Sequence, residues 1–380
     1  MPPAQPRFPT PLHVGRPNIV DVEHFLDLAR SALDRAWLTN NGPLVQELEA
    51  QLAERLGVRH CITITNGTLA LQIAIRALGL TGEVIVPSFT FVATAHALTW
   101  QGITPVFADI DPVTHCIDPD SVRDLITSRT TGIVAVHLWG GAADVAALDA
   151  IAQEFGLALL FDAAHAFGSS AGSRLIGSFG DAEVFSFHAT KFFNTVEGGA
   201  VTTDDDDLAA RIRLLRNFGF DGEDSVVSEG VNGKMNELSA AMGLANLPGI
   251  DAIVAANRRN HDAYRAGLFE IPGVELLRFD RSGPSNFQYA VALVDDECPR
   301  SRDEILSALR RENVLARRYF WPGCHRMEPY RNAARSVPAA LPVTEHVTER
   351  VLVLPTGPHL DEPDIAAVAD IIRTAVTKSS

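Results

Sequence analysis

Short apolar runs alternate with amphipathic helical segments over residues 60–187, and this alternation restricts the fold more than any other feature of the chain. The runs at 84–87, 132–138 and 157–161 are predicted strands, and the segments between them have helical spacing. Strands joined through helices run parallel, and helices then cover both faces of their sheet. The sequence therefore predicts an α/β domain with a mostly parallel sheet.

The rest of the chain predicts an extended arm and a second, smaller domain. Prolines spread through residues 1–20 disfavour a helix there. Beyond Pro248-Gly249 the predicted elements are strands at 286–294 and 314–320 and helices at 301–312 and 362–376. We therefore predict that residues 1–248 form the arm and the large domain. Residues 249–380 form an α+β C-terminal domain, against which the arm packs.

Composition limits the kinds of partner. The 380 residues carry a formal net charge of −15, which disfavours nucleic acids and anionic membranes because both require basic patches. No apolar run approaches the length of a membrane span, and the proline-rich N-terminus lacks the apolar core of a signal peptide. The cysteines show no C-x-x-C pairing, which indicates reduced thiols; they are Cys61, Cys116, Cys298 and Cys324. We expect a cytoplasmic protein.

Lys191 stands in an unusual setting for a lysine. An apolar run at 184–187 leads into it, its neighbours are aromatic or hydroxylic, and a glycine pair follows at 198–199. These neighbours predict a partly buried pocket, where burial favours the neutral amine that attacks carbonyl carbons. A lysine that extends over an apolar edge towards solvent is the alternative interpretation.

Three further features are predicted at the carboxyl ends of the strands, where open α/β sheets bind ligands. Residues 65–68, Thr-Asn-Gly-Thr, open a helix and suit a phosphate, although they could simply cap it. Asp162 ends a strand and suits a protonated ring nitrogen, or else an ion pair. Phe91 suits stacking on a ring, or else a place in the core. Together with Lys191 they meet the requirements of pyridoxal 5′-phosphate.

Ordered blocks along nearly the whole chain carry a family resemblance. They are W-L-T-N-N-G-P, N-G-T-L-A-L, V-P-S-F-T-F-V-A-T, F-D-A-A-H-A-F-G, S-F-H-A-T-K with E-G-G-A-V, G-V-N-G-K-M-N-E-L-S-A-A and Y-F-W-P-G-C-H. With these blocks the chain resembles the DegT/DnrJ/StrS-type nucleotide-sugar aminotransferases. The resemblance implies a fold type I, pyridoxal-phosphate-dependent enzyme, with a mostly parallel seven-stranded sheet covered by helices and a smaller α+β C-terminal domain.

The resemblance also implies how the cofactor's phosphate is held. Gly67, Thr68 and Ser186 would bind it within one subunit, and Asn232 would reach the phosphate of the neighbouring subunit. That arrangement implies a homodimer with composite sites. The small, apolar segment at 238–247 has a composition suited to close packing between the subunits.

Four residues would act on the cofactor's ring and aldehyde. By resemblance Phe91 stacks on the ring, Asp162 pairs with its nitrogen and His165, where many members have glutamine, lies near its phenolic oxygen. Lys191 would form the Schiff base with the aldehyde and then move protons as general base and acid. Lys191 and Asp162 are thus the predicted catalytic residues.

The expected substrates are a nucleotide-linked keto sugar and L-glutamate as amino donor. The lysine loop resembles that of members acting on 4-keto sugars, so we expect amination at C-4 of a thymidine- or uridine-linked deoxy sugar, in the biosynthesis of amino sugars for natural products such as antibiotics or for cell-surface glycans. Candidate substrate contacts are His188, Asn194, Lys234, Tyr319 and His325, of which Lys234 replaces a common arginine.

Other functions use the same residues differently. Dehydratases on this scaffold that lack the Schiff-base lysine carry histidine at that position, whereas Lys191 is present here. A non-catalytic regulatory protein of this fold would not need Lys191 and Asp162 together. A metal hydrolase built on His137, His165, His188 or His325 lacks H-x-x-x-H or H-x-H spacing, so no metal is expected.

Overall fold

The computed structural model describes residues 5–278, 283–332 and 340–377. The prolines at positions 2 and 3 of the predicted arm lie outside the described residues. The helices in chain order are α1 (Val22–Asp34), α2 (Pro43–Leu56), α3 (Gly67–Ala77), α4 (Ala93–Thr99), α5 (Pro119–Asp124), α6 (Val145–Phe155), α7 (Asp206–Arg216), α8 (Glu237–Asn246), α9 (Ile250–Leu268), α10 (Arg302–Arg311), α11 (Pro342–Thr348) and α12 (Glu362–Thr377).

The strands include several short ones that sequence patterns do not reveal. In chain order they are β1 (Leu12–His13), β2 (His60–Ile64), β3 (Glu83–Pro87), β4 (Thr104–Ala108), β5 (Thr130–Val136), β6 (Ala158–Asp162), β7 (Ser170–Ala171), β8 (Arg174–Leu175), β9 (Ala182–Ser186), β10 (Gly199–Thr203), β11 (Val274–Leu276), β12 (Ala290–Val294), β13 (Val314–Leu315) and β14 (Val351–Leu354).

A seven-stranded sheet forms the centre of the protein, with strand order β2-β10-β9-β6-β5-β3-β4. Strands β4, β3, β5, β6 and β9 run parallel, and β10 is antiparallel to both of its neighbours. All residues of β3, and all of β6 except the partly buried Ala158, are buried, as expected for strands covered on both faces. The predicted α/β fold with a mostly parallel seven-stranded sheet is confirmed.

Strand register brings distant parts of the chain to one edge of this sheet. Asp162, the last residue of β6, lies beside Val136 of β5 and Val184 of β9. Ser186, the last residue of β9, pairs with Gly199, the first residue of β10. The carboxyl ends of β6 and β9 therefore meet the loop that carries Lys191.

A three-stranded antiparallel sheet, β11-β12-β14, is the centre of the C-terminal part of the chain. Strand β14 and helix α11 have no counterpart in the sequence prediction. The strand predicted at 314–320 ends at Leu315 apart from an isolated bridge of Arg317 with Val353, because the chain turns at Arg318–Trp321 and places aromatic side chains against the large sheet's core. The division between residues 248 and 249 stays a prediction; α9 begins at Ile250.

The N-terminal arm packs on this C-terminal part, as predicted. Strand β1 pairs in parallel with β13. The backbone amide of Arg7 donates to Glu312 at 2.7 Å, and Asn313 donates to the carbonyl of Phe8 at 2.7 Å. Phe8 is buried among apolar residues of the small sheet. The proline-rich arm is thus held by pairing and by one buried aromatic anchor.

Helix α8 corrects one expectation about assembly. Its small residues pack against α1 and α2 of the same chain, and Leu238 is its one exposed residue. A Cβ atom at Gly243 would lie 2.9 Å from a methyl carbon of Leu48, so glycine permits this close approach. Segment 238–247 therefore serves packing within one subunit, not between subunits.

One stretch, Glu237–Leu268, is long and apolar enough by length and composition to cross a membrane, which the sequence analysis did not anticipate. However, 56% of its most apolar window is buried inside the protein. Core helices pass the same test, so this stretch is weak evidence for a membrane span.

Candidate active site

Lys191 lies in a loop that folds back over the end of β9. The amide of Phe187 donates to Gly198 at 2.8 Å and the amide of Thr195 donates to Phe187 at 2.9 Å, which closes the loop. The Lys191 side chain is partly buried. Burial lowers the pKa of its amine from 10.5 to about 8, while the charge of Asp162 opposes the shift. About a tenth of the amine is therefore neutral at pH 7.

Asp162 is buried at the end of β6, and both of its oxygens accept hydrogen bonds. The Ala164 amide donates to Oδ1 at 3.1 Å and the Thr94 hydroxyl donates to Oδ2 at 2.9 Å. Burial raises the pKa of Asp162, and these two donors, followed by the charge of Lys191, lower it. The site thus holds a desolvated carboxylate together with the donors that favour its ionised form.

Thr94 is a candidate site residue that the sequence patterns did not identify. It lies in the first turn of α4, buried, and its hydroxyl lies within 3.1 Å of the carbonyl oxygen of Phe91 and the hydroxyl of Thr90. Its place three residues after Phe91, within the block V-P-S-F-T-F-V-A-T, is a signal that could have found it. The hydroxyl links the Phe91 turn to Asp162.

His165 is buried beside Lys191 in a cluster of aromatic rings. Its ring centroid lies 5.9 Å from that of Trp139 and 5.9 Å from that of Phe320, and the Tyr289 hydroxyl lies 3.2 Å from Nε2. Burial, reinforced by the charge of Lys191, lowers the pKa of His165 well below its usual value. The imidazole is therefore neutral at pH 7.

The residues predicted to hold a phosphate lie together. Asn66 caps α3 by accepting from the Leu69 amide at 2.8 Å. The amides of Gly67 and Thr68 lie in the first turn of α3, where the helix supplies no acceptor. A Cβ at Gly67 would lie 2.8 Å from the Cβ of Ser186, which places the helix start directly against the end of β9. Free amides at a helix N-terminus form a natural site for an anion.

Phe91 is not a core aromatic. Its side chain is 58% exposed, in the turn that precedes α4. The Phe91 carbonyl and Asp162 share the Thr94 hydroxyl, and a large exposed aromatic side chain in this turn is available to a planar ligand. This placement favours the stacking interpretation over the core alternative.

Two of the candidate substrate residues are open to a ligand. His188 is exposed, with Nδ1 2.9 Å from the Thr190 hydroxyl and Nε2 3.6 Å from a carboxylate oxygen of Glu197. Tyr319 is partly buried, and its ring stacks on Phe320 at 5.3 Å between centroids. His188 precedes Lys191 by three residues in the same loop. Tyr319 stacks on Phe320, whose ring in turn lies 5.9 Å from that of His165.

Two other candidates already have structural partners. The Asn194 amide donates to the carbonyl of Asn18 at 2.8 Å and helps to hold the arm. His325 is buried, with Nδ1 2.6 Å from the Ser88 hydroxyl and Nε2 3.4 Å from Glu345. A substrate contact at either residue would have to replace these bonds.

Asn232 and Lys234 lie in the segment between α7 and α8, where Lys234 forms an isolated bridge with Ile64 at the end of β2. Asn232 is exposed and its backbone forms an isolated bridge with Asn217. Lys234 donates to the Asn217 side chain at 3.0 Å and lines a cavity of about 260 Å³ together with Arg213 and Arg216. Burial, then the charge of Arg216, lowers the pKa of Lys234. This cavity is basic and suits an anionic group.

These features fit pyridoxal 5′-phosphate. The buried Nδ1 of His165 has no hydrogen-bond partner among the described residues, and the close Gly67–Ser186 contact forms an anion cradle. Asp162, Lys191 and Phe91 meet the other needs of the cofactor. Within residues 5–278, 283–332 and 340–377, no group of three or more His, Cys, Asp or Glu side chains could hold a metal ion.

Comparisons with known proteins agree with this chemistry. The model of the DegT/DnrJ/EryC1/StrS aminotransferase family matches residues 20–373. A dTDP-4-amino-4,6-dideoxy-D-glucose transaminase from Shigella dysenteriae is 38% identical over 363 residues, covering 96% of this chain and 98% of that protein. A UDP-N-acetyl-3-dehydro-alpha-D-glucosamine 3-aminotransferase from Acidithiobacillus ferrooxidans is 35% identical, covering 86% and 87%.

Among solved structures, DesI determined in the presence of its TDP-sugar product superposes with a TM-score of 0.94. It is 50% identical, and the match covers 98% of this chain and 95% of DesI. Similarity to aminotransferases therefore extends over the whole described fold. The chain belongs to the DegT/DnrJ/EryC1/StrS aminotransferase family and is a nucleotide-sugar aminotransferase.

Proposed function

We propose that this enzyme uses pyridoxal 5′-phosphate to transfer the amino group of L-glutamate to C-4 of a keto sugar on a nucleoside diphosphate, in amino-sugar biosynthesis in the cytoplasm. The observation that carries the proposal is the cluster of Lys191, Asp162 and His165 at the carboxyl ends of β6 and β9. The cofactor supplies an aldehyde that accepts an amino group and an electron-deficient ring that withdraws electrons from the reacting carbon.

Lys191 is the proposed general base and acid. Its amine, with a pKa lowered to about 8, is close enough to neutral pH to take up and release a proton within one turnover. In the first half-reaction the amine would carry the proton from Cα of glutamate to the cofactor's aldehyde carbon, and in the second it would carry a proton from that carbon to the keto carbon of the sugar. The same amine would hold the cofactor covalently between turnovers.

Asp162 keeps the ring nitrogen protonated in this proposal. The Thr94 hydroxyl and the Ala164 amide hold its two oxygens in place, and burial keeps water from competing. A protonated nitrogen strengthens the electron withdrawal on which both half-reactions depend. Phe91 would cover one face of the ring, and Gly67, Thr68 and Ser186 would bind the phosphate.

The sugar position rests on the lysine loop and on relatives. The S-F-H-A-T-K loop resembles that of members acting on 4-keto sugars, and the transaminase at 38% identity carries a 4-amino sugar in its name. The relative named as a 3-aminotransferase is 35% identical, so position 3 is the alternative product. Among the candidate residues, His188, Tyr319 and Lys234 have room for sugar or diphosphate contacts. Asn194 and His325 would act by shaping the loop and the pocket wall.

A homodimer completes the proposed site. Exposed apolar side chains on and after α1 suit burial by a second subunit; they are Val22, Leu26, Leu33, Trp37 and Leu38. Asn232 is exposed and available to the neighbour's phosphate. An active monomer in sedimentation at assay concentration would contradict this assembly. Mixing Lys191→Ala with Asn232→Asp subunits should restore part of the activity.

The test combines cofactor capture with product analysis. Purified protein mixed with the cofactor should gain a visible absorbance band, and borohydride reduction should fix the cofactor on Lys191, not on Lys234 or Lys378. With glutamate, a 4-keto nucleotide sugar should be converted to a product that carries the amine at C-4 by NMR. Loss of water from the sugar without amination would favour the dehydratase alternative, and failure to bind the cofactor would favour a regulatory protein.

A further inference from the structure

Tyr289 reaches His165 from a distant part of the chain. It directly precedes β12, is 9% exposed, and its hydroxyl lies 3.2 Å from Nε2 of His165. The Tyr289 ring lies 4.7 Å from the imidazole and meets Trp139 edge to face at 5.5 Å. Packing thus fixes the phenol against one nitrogen of the histidine.

The protonation states of the two groups allow the Tyr289 hydroxyl to donate to the imidazole. Burial lowers the pKa of His165 and raises the pKa of Tyr289, so the imidazole is neutral and the phenol keeps its proton. A neutral imidazole has one N–H group and one acceptor nitrogen. When the Tyr289 hydroxyl donates to Nε2, at 3.2 Å, the imidazole proton is on Nδ1.

The other ring nitrogen of His165, Nδ1, is free to contact a ligand. Nδ1 is buried and has no partner among the described residues. A buried N–H without an acceptor costs free energy, which a bound anionic oxygen would recover. With the proton on Nε2 instead, Nδ1 would present a lone pair and repel such an oxygen.

We propose that Tyr289 is a positioning residue that holds His165 in the Nδ1–H tautomer, so that His165 offers a buried donor to the anionic ring oxygen of the cofactor. The proposal rests on the cofactor identity in the proposed function. A glutamine at position 165 would carry a donor and an acceptor on one rotatable amide and would not need this control. Tyr289 is thus required because residue 165 is a histidine.

The tautomer is measurable in the cofactor-free protein. Long-range ¹H–¹⁵N spectra of protein labelled at histidine distinguish Nδ1–H from Nε2–H, and His165→Gln identifies the signal by its disappearance. We expect the Nδ1–H form in the wild type and a mixture of forms in Tyr289→Phe. A wild-type His165 that carries its proton on Nε2 would overturn the proposal, whether or not the variant folds.

Affinity for pyridoxamine 5′-phosphate, which forms no bond to Lys191, gives a second measurement. Tyr289→Phe should weaken binding about fivefold, and the same change in a His165→Gln background should have no effect. Tyr264→Phe is the matched control, because it removes another buried hydroxyl that bonds the carbonyl of Pro355 at 2.9 Å. It should lower stability without changing the tautomer or the affinity.

Equal losses from Tyr289→Phe in both backgrounds would show that Tyr289 acts only through stability, and the proposal would fail. Neither measurement uses a sugar nucleotide or turnover. Their failure would therefore leave the proposed amino transfer standing, since NMR of the reaction product tests that separately.

Discussion

The cofactor side and the sugar side of the site differ in how the protein builds them. Asp162, Thr94 and His165 are buried; Asp162 ends β6, His165 lies in the turn that follows, and Thr94 lies in the first turn of α4. The predicted sugar contacts are scattered: His188 is exposed, whereas His325 is tied to Ser88 on another element. In the proposed function, buried contacts hold the cofactor residues in place, and loop residues such as His188 select the sugar.

The largest expected effect on turnover comes from replacing Lys191. Lys191→Ala should reduce kcat by at least ~10³-fold, because it removes the proposed general base and acid. Pyridoxamine 5′-phosphate should still bind, because the phosphate cradle and Asp162 remain. Stopped-flow turnover and binding titrations would measure both quantities. Retained turnover would contradict the proposed role of Lys191 as general base and acid.

Asp162→Asn keeps the shape of the side chain and removes its charge. We expect kcat to fall by at least ~10²-fold, or about 2.7 kcal/mol, because the ring nitrogen loses the partner that keeps it protonated. Cofactor content, measured by absorbance, should fall less than kcat. Asp109→Asn is a suitable control, because Asp109 holds Val343 and Thr344 through hydrogen bonds and lies outside the proposed chemistry. Near wild-type turnover in Asp162→Asn would refute the assignment.

The residues proposed to hold the cofactor could be selected from the sequence because their signals are local. A lysine after an apolar strand, an aspartate at a strand end and a glycine at a helix start each carry a one-dimensional signal. The parallel sheet followed from the alternation of strands and helices, and most boundaries of its elements lie within a few residues of the prediction.

The missed parts are those that depend on contacts between distant residues. Tyr289 meets His165 across 124 positions, and no local pattern announces that bond. The predicted strand at 314–320 failed because packing of Phe320 on Trp139 and Phe89 overrode its apolar pattern. The small residues of α8 indicated close packing, but composition could not tell whether the partner was the same chain or another.

The pH dependence of cofactor capture tests whether Lys191 is buried as described. With a pKa of about 8, the neutral fraction of the amine rises about 50-fold between pH 6 and pH 8 and then levels off. The rate at which cofactor-free enzyme gains the visible band should follow that curve. A rate that keeps rising towards pH 10 would indicate an ordinary exposed lysine. In Asp162→Asn the plateau should move to lower pH, because the charge that raises the Lys191 pKa is gone.

Two histidines among the predicted sugar contacts are expected to have different roles, His325 in stability and His188 in substrate binding. His325→Ala should lower the free energy of unfolding by about 2 kcal/mol, because it leaves the buried Ser88 hydroxyl without its imidazole partner. His188→Ala, at an exposed position, should change it by less than about 0.5 kcal/mol and should instead raise KM for the sugar nucleotide. Denaturant titration and steady-state kinetics would measure these effects. The reverse pattern would show that His325 faces the substrate.

The smallest expected effect concerns Thr94, whose hydroxyl lies 2.9 Å from Asp162. Thr94→Val keeps the volume and β-branching of the side chain and removes one hydrogen bond to a charged acceptor. Because that bond lowers the pKa of Asp162 against the effect of burial, its loss favours the neutral carboxyl. A hydrogen bond of about 1 kcal/mol corresponds to about a fivefold decrease in kcat.

Thr99→Val provides the comparison on the same helix. Thr99 ends α4, is exposed, and its hydroxyl contacts the carbonyls of Ala95 and His96 at 3.5 and 3.3 Å, with no described bond to Asp162. It tests whether a valine in α4 alone disturbs the helix. We expect Thr99→Val to retain wild-type kcat. We expect Thr94→Val to show its decrease in rate at saturating concentrations of both substrates, where substrate binding no longer contributes. Equal kcat in the two variants would mean that the hydrogen bond from Thr94 does not contribute to the function of Asp162.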